Sequence, residues 1–288
     1  MKVLVTGSNG QLGNEIRRLA PQFPELTFIH TDIQELDITS EKALEGFFEV
    51  EKPEVVINCA AYTAVDKAEQ EETLAYLINS NAVGNLARVT ARNQAHLIHI
   101  STDYVFDGRG FRPYTETDVA NPVSTYGKSK FAGEKMIQSH AVSSTIIRTS
   151  WLYSEFGGNF VKTILKLALE HGKINVVYDQ IGSPTYAGDL AEAILIIIRD
   201  QRLTEHVEVF HYANEGAVSW LDFAHAIIEL TGIECTLNAI ETKDFPRPAV
   251  RPFYSVLNKT KIKNRLQIEI PYWRNSLKVC LDRLMNQE

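Results

Sequence analysis

Three side chains in the first half of the chain have the types and spacing needed for proton transfer at a carbonyl group. Tyr126 and Lys130 lie four residues apart at the start of a predicted helix, so they share one helical face. An ammonium beside a phenol favours the phenolate, although lowering the phenol pKa from about 10 to neutrality takes roughly 4 kcal/mol. Thr102 follows a predicted strand, where its hydroxyl can hydrogen-bond a substrate carbonyl, whereas Ser101 is the better candidate for a simple strand-end cap. We therefore predict that Thr102, Tyr126 and Lys130 are catalytic.

A glycine-rich turn near the amino terminus predicts a dinucleotide site. Gly7, Gly10 and Gly13 recur three residues apart between a short apolar run and a predicted helix. Glycine permits the tight turn, and the N–H groups at the start of the helix attract a pyrophosphate. Asp32 closes the second predicted strand, where a carboxylate binds the ribose 2′-OH of NAD and repels the 2′-phosphate of NADP. The residues alone therefore favour NAD, although a lysine or arginine from elsewhere could accommodate the phosphate.

Alternating strand and helix patterns must position these residues. Segments of helical spacing separate five apolar runs that predict strands, at 2–6, 26–30, 55–57, 97–100 and 145–148. Strands joined in this way imply right-handed crossovers and a parallel sheet. We predict the α/β class, with a Rossmann-type doubly wound parallel sheet in residues 1–150 and a smaller α/β substrate-binding lobe in residues 151–288. Two later apolar runs, 174–178 and 209–213, are expected to return to the first sheet.

The composition excludes several other classes of protein. The 288 residues are 44% hydrophobic and 23% charged, which is typical of globular proteins. A formal net charge of −7 opposes nonspecific binding of nucleic acid or acidic membranes. The three cysteines are far apart, which excludes a zinc knuckle and a disulfide framework and favours a reducing compartment. The apolar runs are too short for a signal-peptide core or a membrane span, so we expect a cytoplasmic protein.

Three longer runs narrow the assignment by resemblance. The segments 58–69, 101–108 and 148–153 closely resemble the dTDP-4-dehydrorhamnose reductase family, within the extended short-chain dehydrogenase/reductase superfamily. The resemblance extends from residue 1 to about residue 260. It implies NADPH-dependent reduction, with NADH also possible, of the C4 keto group of dTDP-4-dehydro-6-deoxy-L-mannose to dTDP-L-rhamnose. That reaction is the last step of dTDP-rhamnose biosynthesis, and it would use Thr102, Tyr126 and Lys130 as the superfamily's catalytic triad.

Two sets of binding residues accompany this assignment. The expected cofactor contacts come from the glycine loop, the following strand ends and the catalytic pair: Gly7, Asn9, Gly10, Gln11, Leu12, Asp32, Asp37, Ile38, Ala60, Ala61, Thr63, Asn79, Tyr126 and Lys130. The resemblance places Asp103, Tyr104 and Trp151 at the sugar, although Trp151 could equally be a core aromatic. Arg247 and Arg251 flank prolines in a stiff loop, which suits a diphosphate better than a solvated run of charge would.

The resemblance also bears on metal binding and assembly. Some members of that family dimerise through magnesium held by carboxylates, one of them at the position of Glu15. Gly188 stands at the position of a second carboxylate, although Asp189 and Glu192 are neighbours that could substitute. We therefore predict no structural metal, and a monomer or weak homodimer that binds a dTDP-4-keto-6-deoxy sugar but neither nucleic acid nor a membrane.

Two alternative functions remain open from the sequence. One is a non-catalytic NADP-binding regulatory subunit, and the other is a nucleotide-sugar epimerase or dehydratase of the same superfamily. The intact set of Thr102, Tyr126 and Lys130 favours an enzyme over a regulatory subunit. Dehydratases typically carry an added acidic pair after the threonine, whereas Asp103 is followed here by Tyr104.

Overall fold

A computed structural model describes residues 1–140 and 143–286 of the chain, so Ala141, Val142, Gln287 and Glu288 lie outside the described residues. The strands are, in chain order, β1 (Lys2–Thr6), β2 (Thr27–His30), β3 (Val55–Asn58), β4 (His96–Thr102), β5 (Ser144–Thr149), β6 (Leu152–Tyr153), β7 (Lys173–Val177), β8 (Ile181–Gly182), β9 (Thr185–Tyr186), β10 (Val207–His211), β11 (Val218–Ser219) and β12 (Thr236–Ile240). The helices are α1 (Gln11–Leu19), α2 (Glu41–Glu51), α3 (Val65–Ala68), α4 (Glu72–Tyr76), α5 (Ala82–Arg92), α6 (Thr125–Ser139), α7 (Phe160–His171), α8 (Ala187–Arg199), α9 (Trp220–Thr231), α10 (Thr260–Leu266) and α11 (Trp273–Met285).

The central sheet confirms the predicted fold class. Six parallel strands pair in the order β2-β1-β3-β4-β5-β10. The strand order reverses between β1 and β3, and in open parallel sheets a ligand crevice forms outside the carboxyl ends of the strands at such a point. The glycine loop after β1, the turn after β3 and the end of β4 therefore share one edge of the sheet.

Strand sequences explain why the sheet is covered on both faces. Along β1, Val3 and Val5 pack into one hydrophobic core with α1 and α8, whereas Leu4 packs into a second core with α2 and α5. Residues of a strand alternate between the two faces, and both faces of a doubly wound sheet are buried. The strands accordingly read as continuous apolar runs, which made them recognisable in the sequence.

One of the two strands expected to return to this sheet does not do so. The run predicted at 209–213 forms β10 at 207–211 and pairs with β5, as expected. The run predicted at 174–178 forms β7 at 173–177 and pairs with β12 in a separate two-stranded parallel sheet, so this part of the prediction was wrong. Lys173 and Asn175 are exposed while Ile174 and Val176 are buried, so β7 covers one face only, against α7 and α9. A strand with one solvent-exposed face does not fit inside a sheet that is buried on both faces.

The region 72–92 differs from a simple helix. The helical spacing of the sequence predicts a single helix around 74–93, but in the structure α4 and α5 are joined by a π-helical segment, Leu77–Asn81. Such a segment inserts an extra residue into a helix and is frequent at functional sites. Here it turns Asn79 toward α6, where a Cβ on Gly133 would lie 2.1 Å from the Asn79 carbonyl oxygen. The glycine is required for this close approach.

Within residues 1–140 and 143–286, no helix has both the length and the apolar character that a membrane span requires.

Candidate active site

The glycine loop forms the turn between β1 and α1, as its spacing predicts. Gly7 has a φ of +63°, and a Cβ there would lie 2.5 Å from the backbone nitrogen of Ala60. A Cβ on Gly13 would lie 2.4 Å from the Cα of Ser8. The N-cap of α1 is Gly10, a residue without a side chain. The first amides of α1 can therefore donate to a phosphate that approaches the loop.

A cavity of about 300 Å³, which we call the cofactor cavity, lies beside this loop. Seven predicted cofactor residues line it: Gly7, Gly10, Asp32, Asp37, Ile38, Ala60 and Ala61. The Asp32 carboxylate accepts hydrogen bonds from the backbone N–H groups of Asn9 at 3.0 Å and Ile33 at 2.8 Å, which fix it at the end of β2. Sequence reasoning missed six residues that also line the cavity, each a close sequence neighbour of a predicted residue: Thr6, Ile33, Leu36, Thr39, Cys59 and Ile78.

The other seven predicted cofactor residues lie outside this lining: Asn9, Gln11, Leu12, Thr63, Asn79, Tyr126 and Lys130. The Leu12 side chain is buried in the core under the sheet, and Gln11 donates to the Leu152 carbonyl at 3.4 Å in the second half of the chain. The Asn79 side chain accepts from the Tyr62 backbone N–H at 2.8 Å and donates to the Tyr62 carbonyl and the Ser129 hydroxyl, both at 3.0 Å. Asn79 thus connects the 58–69 run to α6 through hydrogen bonds. Its contact with the cofactor stays a prediction.

The three predicted catalytic residues come together at the end of β4 and the start of α6. Thr102 is the last residue of β4, and its hydroxyl donates to Asp103 at 3.0 Å and accepts from the Tyr104 N–H at 3.2 Å. Tyr126 and Lys130 project from the first two turns of α6. The rings of Tyr126 and Tyr104 pack edge to face, with centroids 5.5 Å apart.

The protonation states suit an acid rather than a phenolate. Burial raises the pKa of Tyr126 to about 12, against a smaller lowering from Thr102. Burial lowers the pKa of Lys130 to about 8, and its ammonium donates to the Ile100 carbonyl at 2.7 Å. Lys130 is not among the groups that shift the pKa of Tyr126 here, so its phenolate-favouring effect stays a prediction. A phenol that stays protonated is the form that can give a proton to a developing alkoxide.

A second cavity, of about 550 Å³, has Tyr104 in its lining, and we call it the substrate cavity. Its lining includes three predicted substrate residues, Tyr104, Arg247 and Arg251. Arg251 Nη2 donates to Asp66 at 2.8 Å, whereas its buried Nη1 has no hydrogen-bond partner among the described residues. The Arg251 guanidinium also lies 6.0 Å from the centroid of the Tyr104 ring. A guanidinium in the lining of a cavity, with one donor left unsatisfied, is suited to an anionic ligand.

Two other predicted substrate residues, Trp151 and Asp103, are not part of the cavity lining. Trp151 stacks on Trp220, with ring centroids 3.4 Å apart, and Trp220 rather than Trp151 lines the cavity. Asp103 is 2% exposed beneath Thr102, and its burial raises its pKa to about 6. Sequence reasoning missed Asp66 and Trp220 as lining residues, because their partners are remote in the chain.

The 58–69 run also supports the catalytic helix. The Glu69 carboxylate accepts from the Thr125 N–H at 2.8 Å and from its hydroxyl at 2.9 Å, next to Tyr126. A Cβ on Gly127 would lie 2.2 Å from the Tyr104 carbonyl oxygen, so α6 begins in close contact with the turn after β4. These contacts hold Tyr126 and Thr102 in one fixed arrangement.

Glu15 and Gly188, the two positions that the resemblance links to metal binding, are in contact with protein side chains. The Glu15 carboxylate is fully buried and accepts from Arg18 at 2.8 Å. Burial and the neighbouring Glu155 carboxyl raise the pKa of Glu15 to about 7. A Cβ on Gly188 would lie 2.4 Å from the Tyr186 ring. Across residues 1–140 and 143–286, no group of three or more His, Cys, Asp and Glu side chains is arranged to hold a metal ion.

Comparisons with known proteins agree with this geometry. The family model described as RmlD substrate binding domain matches residues 1–286. A dTDP-4-dehydrorhamnose reductase of Aggregatibacter actinomycetemcomitans is 41% identical over 285 residues, which covers 96% of this chain and 97% of that protein. The crystal structure of a dTDP-4-dehydrorhamnose reductase from Clostridium acetobutylicum superposes with a TM-score of 0.94 at 44% identity, covering 99% and 100% of the two chains. The reductase from Bacillus anthracis, crystallised in complex with NADP, gives a TM-score of 0.93 at 37% identity, covering 98% and 99%.

The fold and the site together define the protein's superfamily. A glycine loop at the switch point of a doubly wound parallel sheet, with threonine, tyrosine and lysine at the carboxyl end of β4 and on α6, is typical of an extended short-chain dehydrogenase/reductase. Within that class, the matches over nearly the whole length make the chain a member of the dTDP-4-dehydrorhamnose reductase family.

Proposed function

We propose that this protein reduces the C4 keto group of dTDP-4-dehydro-6-deoxy-L-mannose to dTDP-L-rhamnose with NADPH, and that NADH is also accepted. The observation that carries the proposal is the position of Tyr126. Its ring packs on Tyr104, which lines the substrate cavity, and its helix also carries Lys130, which is close to Cys59 of the cofactor cavity. A group at this junction can transfer a proton to a carbonyl that reaches across from the substrate cavity.

The cofactor half of the site fits a dinucleotide. Gly7 lies so close to the backbone of Ala60 that no side chain fits between them, and both residues line the cofactor cavity beside the first amides of α1. When bound, the nicotinamide supplies the hydride for the reduction. Gly7, Gly10 and the neighbouring amides would hold the pyrophosphate, while Asp32 would face the adenosine ribose.

The residues of this chain supply the acid and the orientation. Tyr126 donates its phenolic proton to the oxygen of the sugar carbonyl as that oxygen gains negative charge. Thr102 orients the same oxygen through its hydroxyl, and Lys130 would bind the ribose of the cofactor. The Arg251 Nη1 donor binds the diphosphate of the sugar nucleotide, while Nη2 stays on Asp66. In this proposal residues 1–150 bind the cofactor and residues 151–288 mainly select the sugar.

The experiment follows loss of reduced-cofactor absorbance with the dTDP-4-keto sugar. Tyr126→Phe should lower kcat by about 100- to 10,000-fold, because removal of a general acid has effects of that size. Tyr272→Phe, at a half-exposed tyrosine on the surface before α11, is the matched control and should keep the native rate. The proposal fails if the native protein oxidises no cofactor with this sugar, or if Tyr126→Phe retains the full rate. A regulatory subunit would bind NADP without turnover, and an epimerase would convert the sugar without net oxidation of the cofactor.

We further propose that the protein is a monomer or a weak homodimer without a structural metal. The burial of Glu15 and the proximity of the Tyr186 ring to Gly188 support this, because neither position offers a carboxylate to a metal shared with a second copy. Sedimentation with and without a chelator tests it, and a dimer that dissociates on chelation would contradict it. The cytoplasmic location stays a prediction.

A further inference from the structure

A chain of buried polar side chains runs from the first strand of the sheet to Lys130. The Thr6 hydroxyl donates to Asn58 Oδ1 at 2.8 Å, and Asn58 Nδ2 lies 3.0 Å from His99 Nδ1. His99 Nε2 in turn lies 3.5 Å from Lys130 Nζ. All four side chains are at most 2% exposed, so their hydrogen bonds are made within the protein.

The Asn58 amide decides which nitrogen of His99 carries the proton. Asn58 Oδ1 accepts from the Thr6 hydroxyl and, at 3.1 Å, from the Ala60 N–H. A backbone N–H only donates, so this atom is the amide oxygen, and Nδ2 is the atom that faces His99. Nδ2 donates, which requires a lone pair on His99 Nδ1. Burial and the Lys130 charge hold the pKa of His99 well below its usual range, so the ring is neutral and its proton lies on Nε2.

The contact between His99 and Lys130 therefore brings two donors together. The His99 Nε2–H cannot accept from the ammonium, which donates instead to the Ile100 carbonyl at 2.7 Å. An N–H dipole directed at a cation disfavours the charged form. Two other groups face Lys130, Glu134 on the same helix and Cys59 after β3, and both favour the charged form. The charge of Glu134 is shared with Arg148, which it binds at 2.7 Å.

We propose that His99 is a positioning residue that acts through Lys130. With its proton held on Nε2 by Asn58, His99 cannot accept a hydrogen bond from the Lys130 ammonium and disfavours the charged form of Lys130. Two N–H groups of the ammonium are thereby left for the ribose of the cofactor. The effect on catalysis rests on the proposed function, whereas the position of the His99 proton and its effect on Lys130 do not.

Nitrogen-15 NMR of the histidine-labelled protein tests the first step, because ring nitrogens with and without a proton have well separated shifts. We expect His99 with Nε2 protonated and Nδ1 unprotonated. The second step uses His99→Gln, whose amide oxygen can accept from Lys130. The pKa of Lys130, followed by NMR of its side chain, should then rise by about one unit, a tenfold change in the protonation equilibrium. The alkaline limb of kcat/KM should move to higher pH by the same amount.

The control is His96→Gln. His96 lies on the same strand and is also buried, but it contacts the hydroxyls of Ser143 and Thr145. Its substitution should lower stability and leave both the pKa of Lys130 and the alkaline limb in place. If His99→Gln does not fold, His99→Asn replaces it. This substitution also removes the ring N–H that faces Lys130, so it must also raise the pKa of Lys130.

A proton on His99 Nδ1 in the native protein would overturn the first step. An unchanged pKa of Lys130 in the folded His99 variant, or an equal change in the His96 variant, would overturn the second. Both measurements are made without sugar nucleotide. A shifted pKa of Lys130 in a protein that does not turn over the dTDP-4-keto sugar would refute the proposed function and leave the role of His99 toward Lys130 intact.

Discussion

Removing the carboxylate of Glu134 should be among the most destabilising changes possible near the active site. Glu134 is fully buried on α6 and binds Arg148 of β5 through both oxygens, at 2.7 and 2.9 Å. The Ser101 hydroxyl donates to the same carboxylate at 2.5 Å, and the Arg148 guanidinium lies 5.2 Å over the Phe106 ring. Arg148 is only 4% exposed, so water cannot replace the lost partner.

The magnitude follows from what remains after each substitution. In Glu134→Met the guanidinium stays buried without its counter-ion, and arginine cannot neutralise itself by losing a proton. Breaking a buried pair in this way costs about 3–5 kcal/mol. In Arg148→Met the remaining carboxyl can take up a proton, so the cost should be smaller at pH 5 than at pH 8. The double variant removes both charges. Its free energy of unfolding should be within about 1 kcal/mol of the native value or higher than it, because well-packed apolar replacements of buried pairs are often neutral or stabilising.

Denaturant unfolding followed by both tryptophan fluorescence and circular dichroism provides the test, with coincident transitions required before free energies are compared. The four proteins form a double-mutant cycle, and we expect a coupling energy of about 3 kcal/mol or more. A loss below about 1 kcal/mol in Glu134→Met, or a double variant as unstable as the sum of the single ones, would refute the reasoning.

Three further predictions concern binding and pH. Arg251→Ala should raise KM for the sugar nucleotide by about 10- to 100-fold, because it removes a charged donor worth about 1.5–3 kcal/mol, and initial-rate kinetics should show the cofactor KM unchanged; the reverse pattern would contradict its assignment. Glu15 has a raised pKa of about 7 in the folded protein, so its contribution to the unfolding free energy is fully present below pH 4.5 and is lost as the pH rises through about 7. Glu15→Gln should abolish that loss of about 3 kcal/mol. From pH 5 to pH 8 the unfolding free energy of the native protein should fall by about this amount more than that of Glu15→Gln; an equal pH dependence in both proteins would refute the assignment. Asp32→Asn should increase the ratio of kcat/KM for NADPH to that for NADH by about tenfold, because it removes the charge that repels a 2′-phosphate; an unchanged ratio would show that Asp32 does not face the ribose.

The cofactor half of the fold was predictable because its signals are local. Strands such as β1 and β3 are buried on both faces, so they appear as apolar runs, and Ser40 and Ser124 mark the starts of α2 and α6 as N-caps whose side chains accept from the helix amides. The pairing of β7 was not predictable in the same way. Its alternating pattern indicates a strand but does not say which neighbour it joins, and its partner β12 lies about 60 residues further along the chain. Choosing that partner requires the tertiary packing of α7 and α9.

In the candidate site, too, residues with local sequence signals were predictable and residues with remote partners were not. The glycine loop and the Tyr126–Lys130 pair were found because loop geometry and helical spacing place chemistry within a few residues. The proline-flanked loop also indicated Arg251, but the residue that orients it, Asp66, lies 185 positions away and looks in the sequence like one surface charge among many. In the proposed function this pair also reconciles a net charge of −7 with an anionic substrate. Asp66 satisfies one side of the guanidinium inside the wall of the cavity, and the other side keeps a donor without a partner among the described residues. In the proposed function a diphosphate would therefore meet a fixed, half-satisfied cation, and the sum of the charges would not decide whether it binds.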